Sequence, residues 1–136
     1  MKVRRLKHFD KRLEDIADLD EECFPEDDRM TFAEMVLSVW WVVLEEGCII
    51  AYLGARAVDD NKLDIHRVGV AKEHRGKKLH QRLLRSTLRW GKGRGYERAS
   101  TYVSVDNLPS LNSFIALGFR FVESEDPAFL VLERPL

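Results

Sequence analysis

Val68-Gly69-Val70-Ala71-Lys72-Glu73-His74-Arg75-Gly76-Lys77-Lys78-Leu79-His80 is the stretch that decides the fold. It reads as the end of a strand, a basic loop holding one glycine, and the start of an amphipathic helix. Beyond it, Leu79, Leu83, Leu84, Thr87, Leu88 and Gly91 recur every three or four residues and mark one helical face. Gln81, Arg82, Arg85, Arg89 and Lys92 fall outside that stripe, and Gly93 to Gly95 ends it. A helix N-terminus presents unpaired N–H groups and the positive end of its dipole, which together favour a phosphate or pyrophosphate. Arg75, Lys77 and Lys78 would add charge-assisted contacts. A basic turn before a helix is also ordinary solvated surface, so the loop alone does not decide between ligand and water.

Working upstream, Leu63 to Val70 reads as a strand whose alternation places Asp64, His66, Val68 and Val70 on one side. Trp40 to Leu44 and Cys48 to Val58 read as a hairpin around Glu45-Glu46-Gly47. Adjacent Trp40 and Trp41 must face opposite ways. Val3 to His8 is expected to be a first strand, followed by a helix with Asp10 as its N-cap and Pro25 at its close. Thr31-Phe32-Ala33-Glu34 has the spacing of a capping box and opens a short helix through about Ser38. Downstream, Ala99 to Val105 is β-rich. Pro109 to Leu117 is a short helix with Gly118 as a left-handed cap, and Phe119 to Glu123 with Phe129 to Leu132 form a closing pair of strands. The order is strand, two helices, three strands, helix, strand, helix, two strands. That is a mixed α+β domain around one sheet, and residues 1–136 read as a single domain.

Net charge is −1, which argues against a general nucleic-acid binder. The average hides a polarity. His66 to Arg98 holds eleven Lys or Arg against Glu73 and Glu97, while Phe9 to Glu34 holds eleven acids against Lys11, Arg12 and Arg29. Both runs suit solvated helix faces; the pattern also suits an anionic ligand on the first segment and a cationic one near the second. Cys23 and Cys48 form no CxxC, so reduced thiols in a cytoplasmic protein are expected. No apolar run is long enough to span a bilayer, and none follows Met1-Lys2-Val3-Arg4-Arg5 as a secretory signal requires. His8, His66, His74 and His80 lack ligand spacing, so no metal is expected.

About thirty residues past the basic loop, Val105-Asp106-Asn107 leads into the helix ending Leu117-Gly118-Phe119. From about residue 63 to 122 the chain resembles the GCN5-related N-acetyltransferases (GNAT). In that family a strand leads into Arg-Gly-x-Gly-(Ile/Leu)-Gly at the head of a long helix; Arg75-Gly76-Lys77-Lys78-Leu79-His80 takes those places. An Asn follows, then seven residues on usually a Tyr, then Leu-Gly-Phe; Asn107, Phe114 and Leu117-Gly118-Phe119 keep that register.

The resemblance implies a mostly antiparallel sheet of about seven strands flanked by about four helices. It implies transfer of an acetyl group from acetyl-coenzyme A to an amine by direct attack in a ternary complex. Backbone groups of Val68 and Val70 would pair with the pantetheine arm. The loop Arg75, Gly76, Lys77, Lys78, Leu79, His80 would hold the pyrophosphate. Asn107 would bond the pantetheine, Ser110 would reach it or the phosphates, and Phe114 would pack against it. Asp64 falls where histone-type members carry a glutamate base, and His66 is the competing base; both also fit as plain strand residues.

Three positions depart from the pattern. Lys78 and His80 replace glycines, which give up the freedom of close backbone approach. Phe114 replaces the tyrosine that is often the acid for the leaving thiolate, which leaves Tyr102, Ser104 or water for that task. Two readings therefore stand: an active N-acetyltransferase, or a module on the same fold that binds coenzyme A or a protein with little turnover. Cys23-Phe24-Pro25-Glu26 resembles the Cys-Phe-Pro of members that acetylate protein N-termini. With the acidic run around it, it implies a cationic acceptor, a small amine or a peptide or protein amine. Many members pair as dimers, so a homodimer is expected too.

Overall fold

The computed structural model describes residues 2–136. Seven strands form one sheet: β1 (Val3–Arg5), β2 (Val39–Glu45), β3 (Cys48–Ala57), β4 (Lys62–Val70), β5 (Arg98–Ser104), β6 (Arg120–Val122) and β7 (Phe129–Pro135). Four α-helices flank it: α1 (Leu13–Cys23), α2 (Phe32–Leu37), α3 (Leu79–Gly93) and α4 (Leu108–Ala116). The sheet order is β1-β2-β3-β4-β5-β7-β6, and among the described residues the only parallel neighbours are β4 and β5. The expected order of elements and the α+β class are both found.

The core lies on both faces of the sheet. Trp41 points to one side and meets Trp90 of α3 edge-on at 5.3 Å. Trp40 points to the other, where its Nε1 donates to the Met35 carbonyl of α2 at 2.8 Å. Both indoles are buried. The α3 stripe read from sequence is the buried one: Leu79, Leu83, Leu84, Thr87, Leu88 and Gly91. α1 packs on β3 and β4 on the opposite face. No helix among the described residues is long and apolar enough to cross a membrane.

The capping box is present in full: Glu34 N–H donates to Thr31 Oγ1 and Thr31 N–H to Glu34 Oε1, each at 3.1 Å. Gly118 has φ +93, as the expected left-handed cap requires. The cap of α1 differs from expectation. Its N-cap is Arg12, and Asp10 instead accepts from Arg12 N–H at 2.9 Å, closing a turn one step earlier. β1 is also shorter than the expected Val3 to His8, since Phe9 turns into a positive φ of 58 and the chain leaves the sheet early.

A second correction concerns β4. Gly54 pairs with Arg67 and Ala55 with Ile65, so His66 is an extra residue, a β-bulge. The bulge inverts the alternation beyond it. Arg67 and Gly69, not Val68 and Val70, continue the face on which Asp64 stands. Gly69 occupies that face because nothing larger fits. A Cβ there would fall on Cε1, Cζ and Oη of the buried Tyr52. Gly69→Ala is therefore expected to destabilise the fold by about 1–3 kcal/mol, the usual penalty of overpacking. A urea midpoint unchanged from wild type would contradict this.

One feature of the sheet positions the site. β4 and β5 pair from Lys62↔Arg98 to Ile65↔Thr101 and then separate. Thr101 Oγ1 donates to the Ile65 carbonyl at 2.9 Å where they part. From the bulge to Val70, β4 pairs with β3 on one edge but not with β5 on the other.

Candidate active site

A cleft of about 650 Å³ opens where β4 and β5 part. β4 supplies Val68, Gly69 and Val70; the loop and the head of α3 supply His74, Arg75, Gly76, Lys78, Leu79, His80 and Gln81. α4 and the turn before it bring Asn107, Pro109, Ser110 and Ser113, and the end of α1 brings Cys23 and Phe24. Nine of the expected cosubstrate residues thus meet at one cleft: Val68, Val70, Arg75, Gly76, Lys78, Leu79, His80, Asn107 and Ser110. The strand, loop and helix read from the opening stretch form its wall.

The remaining expected residues lie elsewhere. Lys77 is exposed, its Nζ 3.2 Å from His74 Nδ1. Phe114 is buried beneath the cleft, edge-on to His80 at 4.9 Å and to Phe119 at 5.1 Å. It contributes shape and no proton. Asp64 and His66 do not line the cleft.

The loop carries a backbone conformation that suits glycine. Gly76 has φ +81, and Lys78, the N-cap of α3, has φ 60 and ψ 27. A lysine held there stores roughly 1–2 kcal/mol of strain, and the strain sits where the unpaired amides of α3 face the cleft. Arg75 folds back, its Nε donating to the Val70 carbonyl at 3.1 Å. Cys23 Sγ reaches the same carbonyl at 3.6 Å, and burial raises the thiol's pKa. Asn107 has a structural task as well: its Oδ1 accepts from Ser110 N–H at 3.3 Å as the N-cap of α4.

Further back along β4, outside the cleft, Asp64 is buried and accepts from Ser100 Oγ at 3.2 Å. Burial pushes its carboxyl above the usual range, against the pull of that bond and of Arg56 and Lys62. His66 Nε2 lies 2.6 Å from Ser38 Oγ, and Ser38 Oγ also lies 2.6 Å from the Glu34 carbonyl. The carbonyl can only accept, so the one hydroxyl proton goes there and the serine oxygen accepts from His66. Nε2 therefore carries the hydrogen and Nδ1 the lone pair. Burial first, then the charge of Arg56, lowers the ring's pKa to about 4.

His80 is held equally low, to about 4, by burial. Its Nε2 is enclosed and has no hydrogen-bond partner. Both rings are neutral in the folded protein at pH 7, whereas an unfolded chain takes up protons near 6.5. The unfolded state therefore binds more protons between pH 6.5 and about 4. Their contribution is fully present above 6.5 and is lost as pH falls through that window. Asp64, raised, acts in the opposite sense. In urea titrations across pH 4–7 the wild type is expected to lose stability more steeply than His80→Asn, by a difference approaching one proton. Parallel profiles would contradict it.

Sequence reasoning passed over the network that braces this wall. Arg67 donates to Asp20 through Nε at 2.9 Å and Nη2 at 2.8 Å, and lies over the Phe24 ring at 3.6 Å. It also donates to the Asp28 carbonyl. The Tyr52 hydroxyl donates to Asp20 as well. This ties α1 and the loop after it to β3 and β4. The available signal was a lone arginine inside a strand with a tyrosine opposite the next small residue.

Residues 10–119 match the sequence profile of the Acetyltransferase (GNAT) family. A curated human relative, N-acetyltransferase 8B, is 28% identical over 88 residues, 61% of this chain. The match covers 39% of that relative's length. Among solved structures, Arabidopsis thaliana Naa50 in complex with the bisubstrate analogue CoA-Ac-MVNAL shares the fold with a TM-score of 0.83 at 15% identity, over 100% of both chains. A GNAT family acetyltransferase from Elizabethkingia anophelis with acetyl-CoA bound has a TM-score of 0.81 at 12% identity, over 99% of this chain and 97% of that one. With its seven-stranded sheet, its parted central strands and a profile match over most of its length, this chain belongs to the GNAT acetyltransferase family.

Proposed function

We propose that this protein moves an acetyl group from acetyl-coenzyme A to an amine by direct attack in a ternary complex. One observation carries the reading. The unpaired edge of Val68–Val70 and the amino end of α3 face a single cleft of about 650 Å³. An extended amide-bearing arm suits such an edge, and a diphosphate suits such a helix end. The donor set fits the group: Arg75 and Lys78 are cationic, and Asn107 lines the cleft with an Nδ2 amide that its capping bond through Oδ1 does not use. Both Val68 and Val70 offer backbone groups, once Arg75 and Cys23 release the Val70 carbonyl.

The acceptor enters from the face of β4 that carries Asp64 and His66. An ammonium must lose a proton before its nitrogen can attack the acetyl carbon. Asp64 is the proposed proton acceptor, with a carboxyl that burial makes more basic; Nδ1 of His66 is the alternative. The new C–N bond forms as the C–S bond breaks. The departing thiol is a fair leaving group, with an ordinary pKa near 8.5, so water or Tyr102 suffices to protonate it. The acceptor is proposed to be cationic, a small amine or a peptide or protein amine. Part of the acidic cluster is used internally: Glu21 pairs with Arg29 at 3.8 Å and Asp28 with Arg67 at 3.3 Å. Glu22, Glu26 and Asp27 remain exposed for the acceptor. A cytoplasmic location and a homodimer complete the proposal.

The test is thiol release from acetyl-coenzyme A over a panel of polyamines, amino sugars, lysine peptides and free N-termini. Asp64→Asn is expected to lower kcat roughly 100-fold or more and to flatten the acid limb of the pH profile, the usual weight of a general base. An unchanged rate would remove Asp64 from the chemistry. One observation favours a second reading. Phe114, buried where the family has a tyrosine, suits a module that binds coenzyme A without turnover. Binding with no transfer to any amine would select it.

A further inference from the structure

A second cavity, of about 210 Å³, opens where β1 leaves the sheet beside the ends of α2 and α3, and it shares no lining residue with the cleft. Arg5, Lys7 and His8 line it from the end of β1, and Arg94 from the residue that caps α3. Its walls are otherwise mostly apolar, with Leu6, Leu13, Trp40 and Trp90 among them. No carboxylate lines it among the described residues, and none of the four basic side chains is in an ion pair there. The guanidinium carbons of Arg5 and Arg94 stand 5.8 and 5.1 Å from the centroid of the half-buried Trp90 ring. Arg94 also meets the negative end of the α3 dipole, which accounts for one cation; Arg5 and Lys7 have no such negative partner.

We propose that this cavity is a second ligand site, for a small organic carboxylate with an apolar body. Like charges gathered around one cavity repel, and an anion between them relieves the repulsion. Guanidinium groups take a planar carboxylate through paired N–H donors, and indole and aliphatic walls take an apolar body. The volume is below the roughly 300 Å³ of a drug-sized pocket, so the site admits a short acid and excludes a nucleotide. Phe9, at the lip, turns at φ 58, a left-handed conformation that bulky residues rarely adopt, and such strain gathers at ligand clamps.

The cavity also borders the candidate chemistry. Ser38 and Trp40 line it. Ser38 Oγ lies 2.6 Å from His66 Nε2, and the Trp40 ring is edge-on to His66 at 5.8 Å. An occupant therefore packs against the two side chains that hold the His66 ring. The site itself does not depend on acetyl transfer; only its bearing on catalysis rests on the role proposed for His66.

Benzoate is the probe and neutral benzamide its control, followed by proton–nitrogen NMR of the three indole N–H groups. Trp90→Phe identifies the signal of Trp90. In wild type, benzoate is expected to move that signal saturably, with a midpoint on the order of 1 mM. The His66 ring signals should move with the same midpoint. Arg5→Gln with Arg94→Gln, both exposed and outside the core, is expected to raise the midpoint roughly tenfold or more. Benzamide should bind wild type as weakly as benzoate binds that variant. Arg75→Ala with Lys78→Ala should keep the wild-type midpoint; a loss there would move benzoate to the cleft and overturn the proposal. Equal binding of benzamide, no saturation in wild type, or a midpoint in the Arg5 and Arg94 variant within about threefold of wild type would overturn it as well. His66 signals that stay still while Trp90 saturates would leave the carboxylate site standing and overturn its link to catalysis.

Discussion

Replacing Asp20 by alanine is expected to lower the melting temperature by about 10 °C or more. Asp20 is buried, and its carboxylate accepts from Arg67 twice and from the Tyr52 hydroxyl once. The side chain of Arg67 is only 9% exposed. Truncating Asp20 leaves the enclosed Arg67 with only the exposed Asp28 carboxylate and the Asp28 carbonyl as partners, and breaking such a buried pair costs about 3–5 kcal/mol. For a domain of this size each kcal/mol shifts the midpoint by roughly 3–4 °C. The effect should reach the cleft too, because Phe24 lies against Arg67 and lines it. Replacing Asp20 and Arg67 together by apolar residues of similar volume should recover most of the loss. Calorimetric scans of the single and double variants decide the matter, and a double variant no better than Asp20→Ala would show that the charge pair is not the cause.

The second large effect is on binding. Arg75→Ala with Lys78→Ala is expected to weaken acetyl-coenzyme A by a factor of about 100 or more. Hydrogen bonds to charged groups contribute roughly 1.5–3 kcal/mol each, and two are removed. Stability should move the other way or not at all, since Arg75 is a solvated loop residue and Lys78 sits in a left-handed conformation. Calorimetry against acetyl-coenzyme A measures the first part and a thermal melt the second. Binding within a factor of three of wild type would place the phosphates elsewhere.

The sequence was legible where local rules govern. The stripe from Leu79 to Gly91, the Thr31/Glu34 box and the left-handed Gly118 are set by residues within a turn of one another, and each is found. The phosphate loop was legible for the same reason, since strand end, loop and helix head are contiguous. The bulge at His66 was not. It arises from pairing with β3, and no residue within β4 announces it. Its consequence was a wrong face for Val68 and Val70. The Asp20–Tyr52–Arg67 cluster joins three distant elements, and periodicity along any one of them carries no trace of the other two. Asp10 failed as a cap because Asp, Asn and Ser also close turns, and the turn prevailed here.

The fork between β4 and β5 has a consequence for how this fold can change. Four residue pairs join the halves of the sheet, and the Thr101 hydroxyl stops the join at Ile65 as a drilled hole stops a crack. Substitutions that let the two strands zip further would gain ladder bonds and close the cleft in the same motion. Sheet integrity and ligand capacity compete for one set of backbone donors and acceptors. Selection for heat resistance alone should therefore drift toward sturdier, emptier molecules.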